Sequence, residues 1–153
     1  MRVERRRLLR AAGGLAAVVV AGLLKPLSAL AASWNKDAFA AKSAPDALKS
    51  LGAAGIEASN AIVIEAPQIA ENGAVVPIEI ASNIPGTTAI AVLVEKNPYP
   101  LVAKFEFMEG ALPFVKLNTK MGETSAVRVV ATAGGKHFTA TKEIKVTIGG
   151  CGG

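Results

Sequence analysis

Residues 74–108 read AVVPIEIASNIPGTTAIAVLVEKNPYPLVAKFEFM, and the periodicity of this stretch decides the fold. From Ala74 to Ser82 apolar side chains recur at Val76, Ile78 and Ile80, with Glu79 facing the other way. A period of two marks a strand with one face in a core and one toward solvent. Ile84-Pro85-Gly86 then turns the chain, and Thr88 to Lys96 is almost wholly apolar, as in a strand covered on both faces. Asn97-Pro98-Tyr99-Pro100 is a stiff turn. Leu101 to Met108 alternates again, with Phe105 and Phe107 on one side and Lys104 and Glu106 on the other.

The same pattern extends outward in both directions. Ala61 to Ala66 is a β-branched run stopped by Pro67, and Pro113–Asn118, Ser125–Ala133 and Lys136–Ile148 are further strands. Gly134-Gly135 joins the last two as a hairpin turn. About seven strands spaced by 8–12 residues predict an immunoglobulin-like antiparallel β-sandwich. A single cysteine excludes the inter-sheet disulfide of antibody domains, and 5% aromatic content leaves the core to Val, Ile, Leu and Ala. Before the strands, beyond a polar start at Trp34, Asn35 and Lys36, the stretch from Asp37 to Leu51 reads as a short N-terminal helix. Ser43-Ala44-Pro45-Asp46 offers an N-cap with a proline in the first turn. Ala47, Leu48 and Leu51 form its apolar face, and Gly52 and Gly55 end it.

Residues 1–31 have the plan of an export signal that is cleaved. Arg5, Arg6 and Arg7, then Leu8, Leu9 and Arg10, follow the order of a twin-arginine signal. The apolar run from Leu15 to Leu24 is shorter than the roughly 20 residues a spanning helix requires. Ala29-Leu30-Ala31 supplies small residues for cleavage, which places the β-sandwich domain at residues 32–148. The alternative for this segment is an uncleaved membrane anchor. The signal also accounts for the charge. The whole chain has 17 basic and 12 acidic residues, a net +5. Residues 1–31 hold Arg2, Arg5, Arg6, Arg7, Arg10 and Lys25 against Glu4 alone, so the remainder is formally neutral. No basic stripe interleaved with aromatics remains, and nucleic-acid binding is excluded as a reading.

The chemistry sits at the other end. Cys151, the only cysteine, lies in Gly149-Gly150-Cys151-Gly152-Gly153, residues 149–153. Glycines on both sides leave the backbone free and put no Cβ in the way of an approaching surface, so this reads as a flexible arm presenting one thiol. The preceding strand runs Phe138, Ala140, Lys142, Ile144, Val146 and Ile148 on one parity and stops at Gly149. A free cysteine has a pKa near 8.5, and no base sits beside Cys151 in sequence, so activation falls to whatever receives the arm. Such a thiol forms mixed disulfides, Cys151–Cys151 dimers or persulfides in an oxidising compartment.

With a twin-arginine signal, a small β-rich domain and a terminal Gly-Gly-Cys-Gly-Gly, the chain resembles the SoxY sulfur-carrier family of the bacterial Sox thiosulfate-oxidation system. Gly149, Gly150, Cys151, Gly152 and Gly153 match the family's carrier motif position by position. The resemblance implies a periplasmic, covalent sulfur carrier, not an enzyme, with Cys151 as the substrate-carrying residue and no cofactor or metal of its own. It implies a heterodimer with a SoxZ-like subunit. It also implies partners that act on the arm: a c-type cytochrome that joins thiosulfate to the cysteine, a hydrolase that releases sulfate, and in some systems a sulfane dehydrogenase.

Two other classes compete. Gly152-Gly153 superficially fits a terminal thiocarboxylate carrier, but that chemistry requires ATP, which is scarce outside the cytoplasm. An exported structural or dimerising module with a reactive tail thiol is the remaining alternative. Elsewhere the residues read plainly. His137, the only histidine, lies near a hairpin turn, and one His with one Cys cannot make a zinc site. Glu65, Glu71, Glu79 and Glu106 read as solvated faces, and Tyr99 as part of a stiff turn.

Overall fold

The computed structural model describes residues 34–147. Two helices, α1 (Lys36–Ala40) and α2 (Ala44–Ser50), precede nine strands among the described residues. These are β1 (Glu57–Ala58), β2 (Ile62–Glu65), β3 (Ile69–Ala70), β4 (Val76–Ser82), β5 (Thr87–Val94), β6 (Leu101–Glu106), β7 (Phe114–Thr119), β8 (Ser125–Ala133) and β9 (Lys136–Val146). One sheet runs in the order β1-β9-β8-β5-β6, with β3 also on β9, and a second in the order β2-β4-β7. The β-sandwich expected from the alternation is the fold observed.

Each inner face follows from the period of two. Val76, Ile78 and Ile80 of β4 are fully buried, and so are Ile90, Val92 and Val94 of β5, Val127 and Val129 of β8 and Ile144 of β9. They share one core with Ile62, Val115 and Met121. Fully burying one such side chain contributes about 1.5–3 kcal/mol, which is how a core with few aromatics suffices. The opposite parity of β5 is buried as well. Ala91 and Leu93 pack with Leu101 and Val130 against Ala38 and Ala47 of the helices, so the helix pair covers the outer face of the larger sheet. That cover explains the continuous apolar run from Ile90 to Val94.

The β4–β5 connection is held by buried hydroxyls. Thr87 Oγ1 donates to the Ile84 carbonyl at 2.8 Å, which uses its single hydrogen. The Ser82 hydroxyl therefore donates to Thr87 Oγ1, at 2.8 Å, and accepts from the Ile84 N–H at 3.4 Å. Gly134 and Gly135 both have positive φ, +56° and +75°, the backbone that a two-residue hairpin between right-twisted strands requires.

The helical stretch divides in two. Ser43 caps α2, its hydroxyl accepting from the Asp46 N–H at 3.2 Å, and Pro45 follows in the first turn. A helix continuing through Pro45 would set its ring against the Ala41 carbonyl, so Ala41 turns extended (φ −60°, ψ 139°). Asn35 caps α1 by accepting from the Ala38 N–H at 3.0 Å, and its side-chain amide donates to the Ser50 carbonyl at 2.8 Å. That second bond ties the start of α1 to the end of α2.

Strands β1 and β3 were not foreseen. Each is two residues long and pairs parallel with the outer edge of β9, Glu57 with Phe138 and Ile69 with Lys145. Between them the chain crosses to the other sheet as β2. The boundaries expected at residues 31 and 149, the export signal, Ile148 and the arm at Gly149–Gly153 with Cys151 lie outside the described residues.

Candidate functional site

Thr147 is the described residue nearest in sequence to Cys151, and the end of β9 around it is the root of the C-terminal segment. β9 reaches this root through an antiparallel pairing with β8 that runs from Ala133–Lys136 to Ser125–Ile144. Beyond Ile144, β8 has ended and other groups take over. The Thr124 hydroxyl accepts from the Val146 N–H at 3.0 Å and donates to the Val146 carbonyl at 3.5 Å. On the opposite edge β3 continues the pairing: the Lys145 N–H donates to the Gln68 carbonyl at 2.9 Å and the Thr147 N–H to the Ala70 carbonyl at 3.2 Å. Thr147 Oγ1 donates to the Glu71 carbonyl at 3.4 Å. The chain is thus bonded on both edges at Val146 and Thr147, where the described residues end.

Beneath the root the backbone approaches closely. Gly73 is buried, and its carbonyl accepts from the Met121 N–H at 2.7 Å. A Cβ at position 73 would overlap the Met121 carbonyl oxygen and come within 2.8 Å of Val146 Cγ1. Only a glycine lets the 71–75 turn, the 119–124 turn and the end of β9 pack this tightly. Around this end lie exposed Ile69, Glu71, Val75, Lys120 and Glu123. Sequence reasoning singled out the tail but not Gly73, Thr124 or β3. The one available signal was Glu71-Asn72-Gly73, a turn composition.

The other residues weighed from sequence lie apart from this root. Glu79 pairs with Lys116 across β4 and β7, and Glu106 with Lys104 at 2.7 Å along β6. The pairing with Glu79 raises the Lys116 pKa above its usual value. Glu65 and Glu71 are exposed. His137 is half-buried, with Nδ1 3.1 Å from Thr132 Oγ1. Lys42 Nζ stands 3.6 Å from the centre of the half-exposed Tyr99 ring, and its hydrogen bond and charge lower the phenol pKa below the usual value. Arg128 forms a two-contact bond with Glu95 Oε1, at 2.6 and 2.7 Å. Among the described residues no three His, Cys, Asp or Glu side chains converge as metal ligands. No described helix is long and apolar enough to cross a membrane.

Comparison with known proteins adds the family. The model of the family "Sulfur oxidation protein SoxY" matches residues 48–151, more than half of the chain and inclusive of Cys151. The structure of the sulfur carrier protein SoxY from Chlorobium limicola f thiosulfatophilum is similar at 44% identity and a TM-score of 0.61, covering 66% of this chain and 92% of that one. Two variants of the superoxide reductase (neelaredoxin) from Ignicoccus hospitalis are similar in fold alone. One is 18% identical with a TM-score of 0.50, covering 56% of this chain and 79% of its own. The other is 17% identical with a TM-score of 0.51, covering 65% and 87%. No curated protein sequence matches significantly. The family match across residues 48–151 and the 44% identity to a sulfur carrier of the same fold agree: the chain belongs to the SoxY family of sulfur oxidation proteins.

Proposed function

We propose that this protein carries sulfur intermediates of thiosulfate oxidation covalently on Cys151 in the periplasm, after export by the twin-arginine route. The observation that carries the reading is the extent of the family match, which runs through the sandwich and ends on Cys151, the chain's only cysteine. The fixed root supports it, because a carrier arm needs a rigid base from which a short tether is presented. Gly149, Gly150, Gly152 and Gly153 are the pliant part of that tether.

The chemistry balances without any group of this chain other than the thiol. A c-type cytochrome partner accepts two electrons as Cys–SH and thiosulfate become Cys–S–S–SO3⁻, with one proton released. A hydrolase then adds water to the terminal sulfonate, giving Cys–S–S⁻, hydrogensulfate and a proton. A sulfane dehydrogenase, where present, oxidises the sulfur left behind. The carrier is one half of a heterodimer with a SoxZ-like subunit, and the enzymatic steps belong to the partners.

Replacement of Cys151 by Ser in the full chain tests the reading. Thiosulfate-dependent electron transfer to the cytochrome in a reconstituted system is then lost, while the fold and the heterodimer persist. Undiminished turnover by the Cys151→Ser protein would refute it.

A further inference from the structure

We infer that the open side of the sandwich between β2 and β9 holds a small tetrahedral oxyanion, with Lys142 as its cationic anchor. The argument starts from a break in pattern. The inner row of β9 runs Phe138, Ala140, Lys142, Ile144 and Val146, so one lysine interrupts an apolar face. Its register partner on β8 is Val127, and both Val127 and the adjacent Ile144 are fully buried. Lys142 itself is half-buried. Its ammonium reaches across to β2 and donates to the Ile64 carbonyl at 3.3 Å. Among the described residues no carboxylate pairs with it. An ammonium has three hydrogens, so two donors and the whole charge are left unanswered. A half-hidden cation without a counter-charge is costly, and an anion from solution relieves that cost.

The surroundings supply further donors. Backbone groups alternate between the two edges of a strand, and the odd residues of β9 point away from β8. The Thr139 carbonyl accepts from the Ser59 N–H at 2.9 Å, and the Lys145 N–H donates to the Gln68 carbonyl. β1 covers this edge as far as Thr139, and β3 resumes at Lys145. The Thr141 and Glu143 N–H groups therefore lie on the uncovered stretch between them. A groove of about 670 Å³ opens there, lined by Ser59, Asn60, Arg128, Thr141 and Lys142 over an apolar floor. Glu65 and Glu143, the nearest acids along the chain, are exposed and do not line it. Arg128 is already held by Glu95, so the uncompensated charge of the groove is that of Lys142.

The ligand class follows from these donors. A doubly charged ion with oxygens on several sides suits donors that converge from β9, from the β1–β2 connection and from a lysine. Sulfate, thiosulfate and hydrogenphosphate share that chemistry. The groove is open and larger than any of them, so it selects for charge and acceptor oxygens more than for shape. An ion seated there joins β9 to β2 across the side of the sandwich that β1 and β3 leave uncovered. The inference asks nothing of Cys151, since Lys142 lies five residues before Thr147, about 17 Å along the strand.

The test titrates the isotope-labelled full mature chain with sodium sulfate, thiosulfate or phosphate, with sodium chloride holding the ionic strength constant. Amide shifts and melting temperature are followed together. Saturable shifts centred on Ser59, Asn60, Thr141 and Glu143 are expected, with a saturating rise in melting temperature. Sulfate also stabilises proteins by exclusion from their surfaces, so saturation is the readout and not the rise alone. Lys142→Gln should weaken the apparent affinity about tenfold or more, while Lys142→Arg keeps it. Lys136→Gln removes the same charge from the exposed far end of β9 and should change nothing. Saturation by any of the three ions supports the site, and the one that saturates at the lowest concentration is its ion. Shifts that are diffuse or do not saturate, undiminished binding by Lys142→Gln, or an equal loss in Lys136→Gln would overturn it.

Discussion

Replacing Gly73 by Ala puts the packing at the arm root to a quantitative test. The added methyl would overlap the Met121 carbonyl oxygen and approach Val146 Cγ1 to 2.8 Å. The Val146 side chain is β-branched and stiff, and the Met121 oxygen belongs to the backbone, so neither moves cheaply. Relief requires the 71–75 and 119–124 turns to separate, which strains the 2.7 Å bond from the Met121 N–H to the Gly73 carbonyl. Overpacking of this kind costs about 1–3 kcal/mol. For a domain of this size 1 kcal/mol corresponds to about 4 °C, so the melting temperature should fall by about 8 °C. Gly122 supplies the control, because it stands in the same loop region and a Cβ there meets nothing within 4 Å. Gly122→Ala should melt within about 2 °C of wild type. The assay is thermal unfolding by circular dichroism, with hydrogen exchange at the Val146 and Thr147 amides as the local readout. Wild-type melting of Gly73→Ala, or an equal fall in Gly122→Ala, would refute the packing derived for the root.

Three further outcomes follow from the same structure. Thr124→Val removes the hydroxyl bonded to Val146 and should cost about 1 kcal/mol, with faster exchange confined to the end of β9. Ile144→Ala opens a cavity between the sheets where Ile144 is fully buried and should destabilise by about 2–5 kcal/mol in chemical denaturation. Tyr99 is the only tyrosine, so its ionisation can be followed by ultraviolet absorbance; Lys42→Met should return its lowered pKa upward toward the usual value. Any attraction between Lys42 and the phenolate exists only above the folded-state pKa of Tyr99 and vanishes as pH falls through it. At neutral pH the substitution should therefore cost only the contact of the Lys42 ammonium with the neutral Tyr99 ring.

Much of the sandwich was legible because its strands carry strong local signals. Val76, Ile78 and Ile80 announce a half-buried strand, and Gly134-Gly135 a hairpin, without reference to anything distant. The doubly buried run at Ile90–Val94 also read correctly, although what covers it, the α1–α2 pair, is a tertiary fact. β1 and β3 were illegible: two residues have no period, and they are strands only because β9 offers an edge. The helix break at Ala41–Ser43 was half-legible, since Ser43 and Pro45 are start signals that also forbid a helix running in from before them. Cys151 was conspicuous as the only thiol among glycines. Gly73 and Thr124 were not, because a close backbone approach and a hydroxyl latch leave no pattern until the chain is folded.

Intact mass spectrometry of the mature protein from thiosulfate-exposed periplasm, with and without reductant and followed by tail-peptide mapping, tests the central claim most directly. The account predicts reductant-labile sulfur or thiosulfonate adducts confined to Cys151. A bare thiol, or only a Cys151–Cys151 dimer, while thiosulfate is being consumed would contradict it.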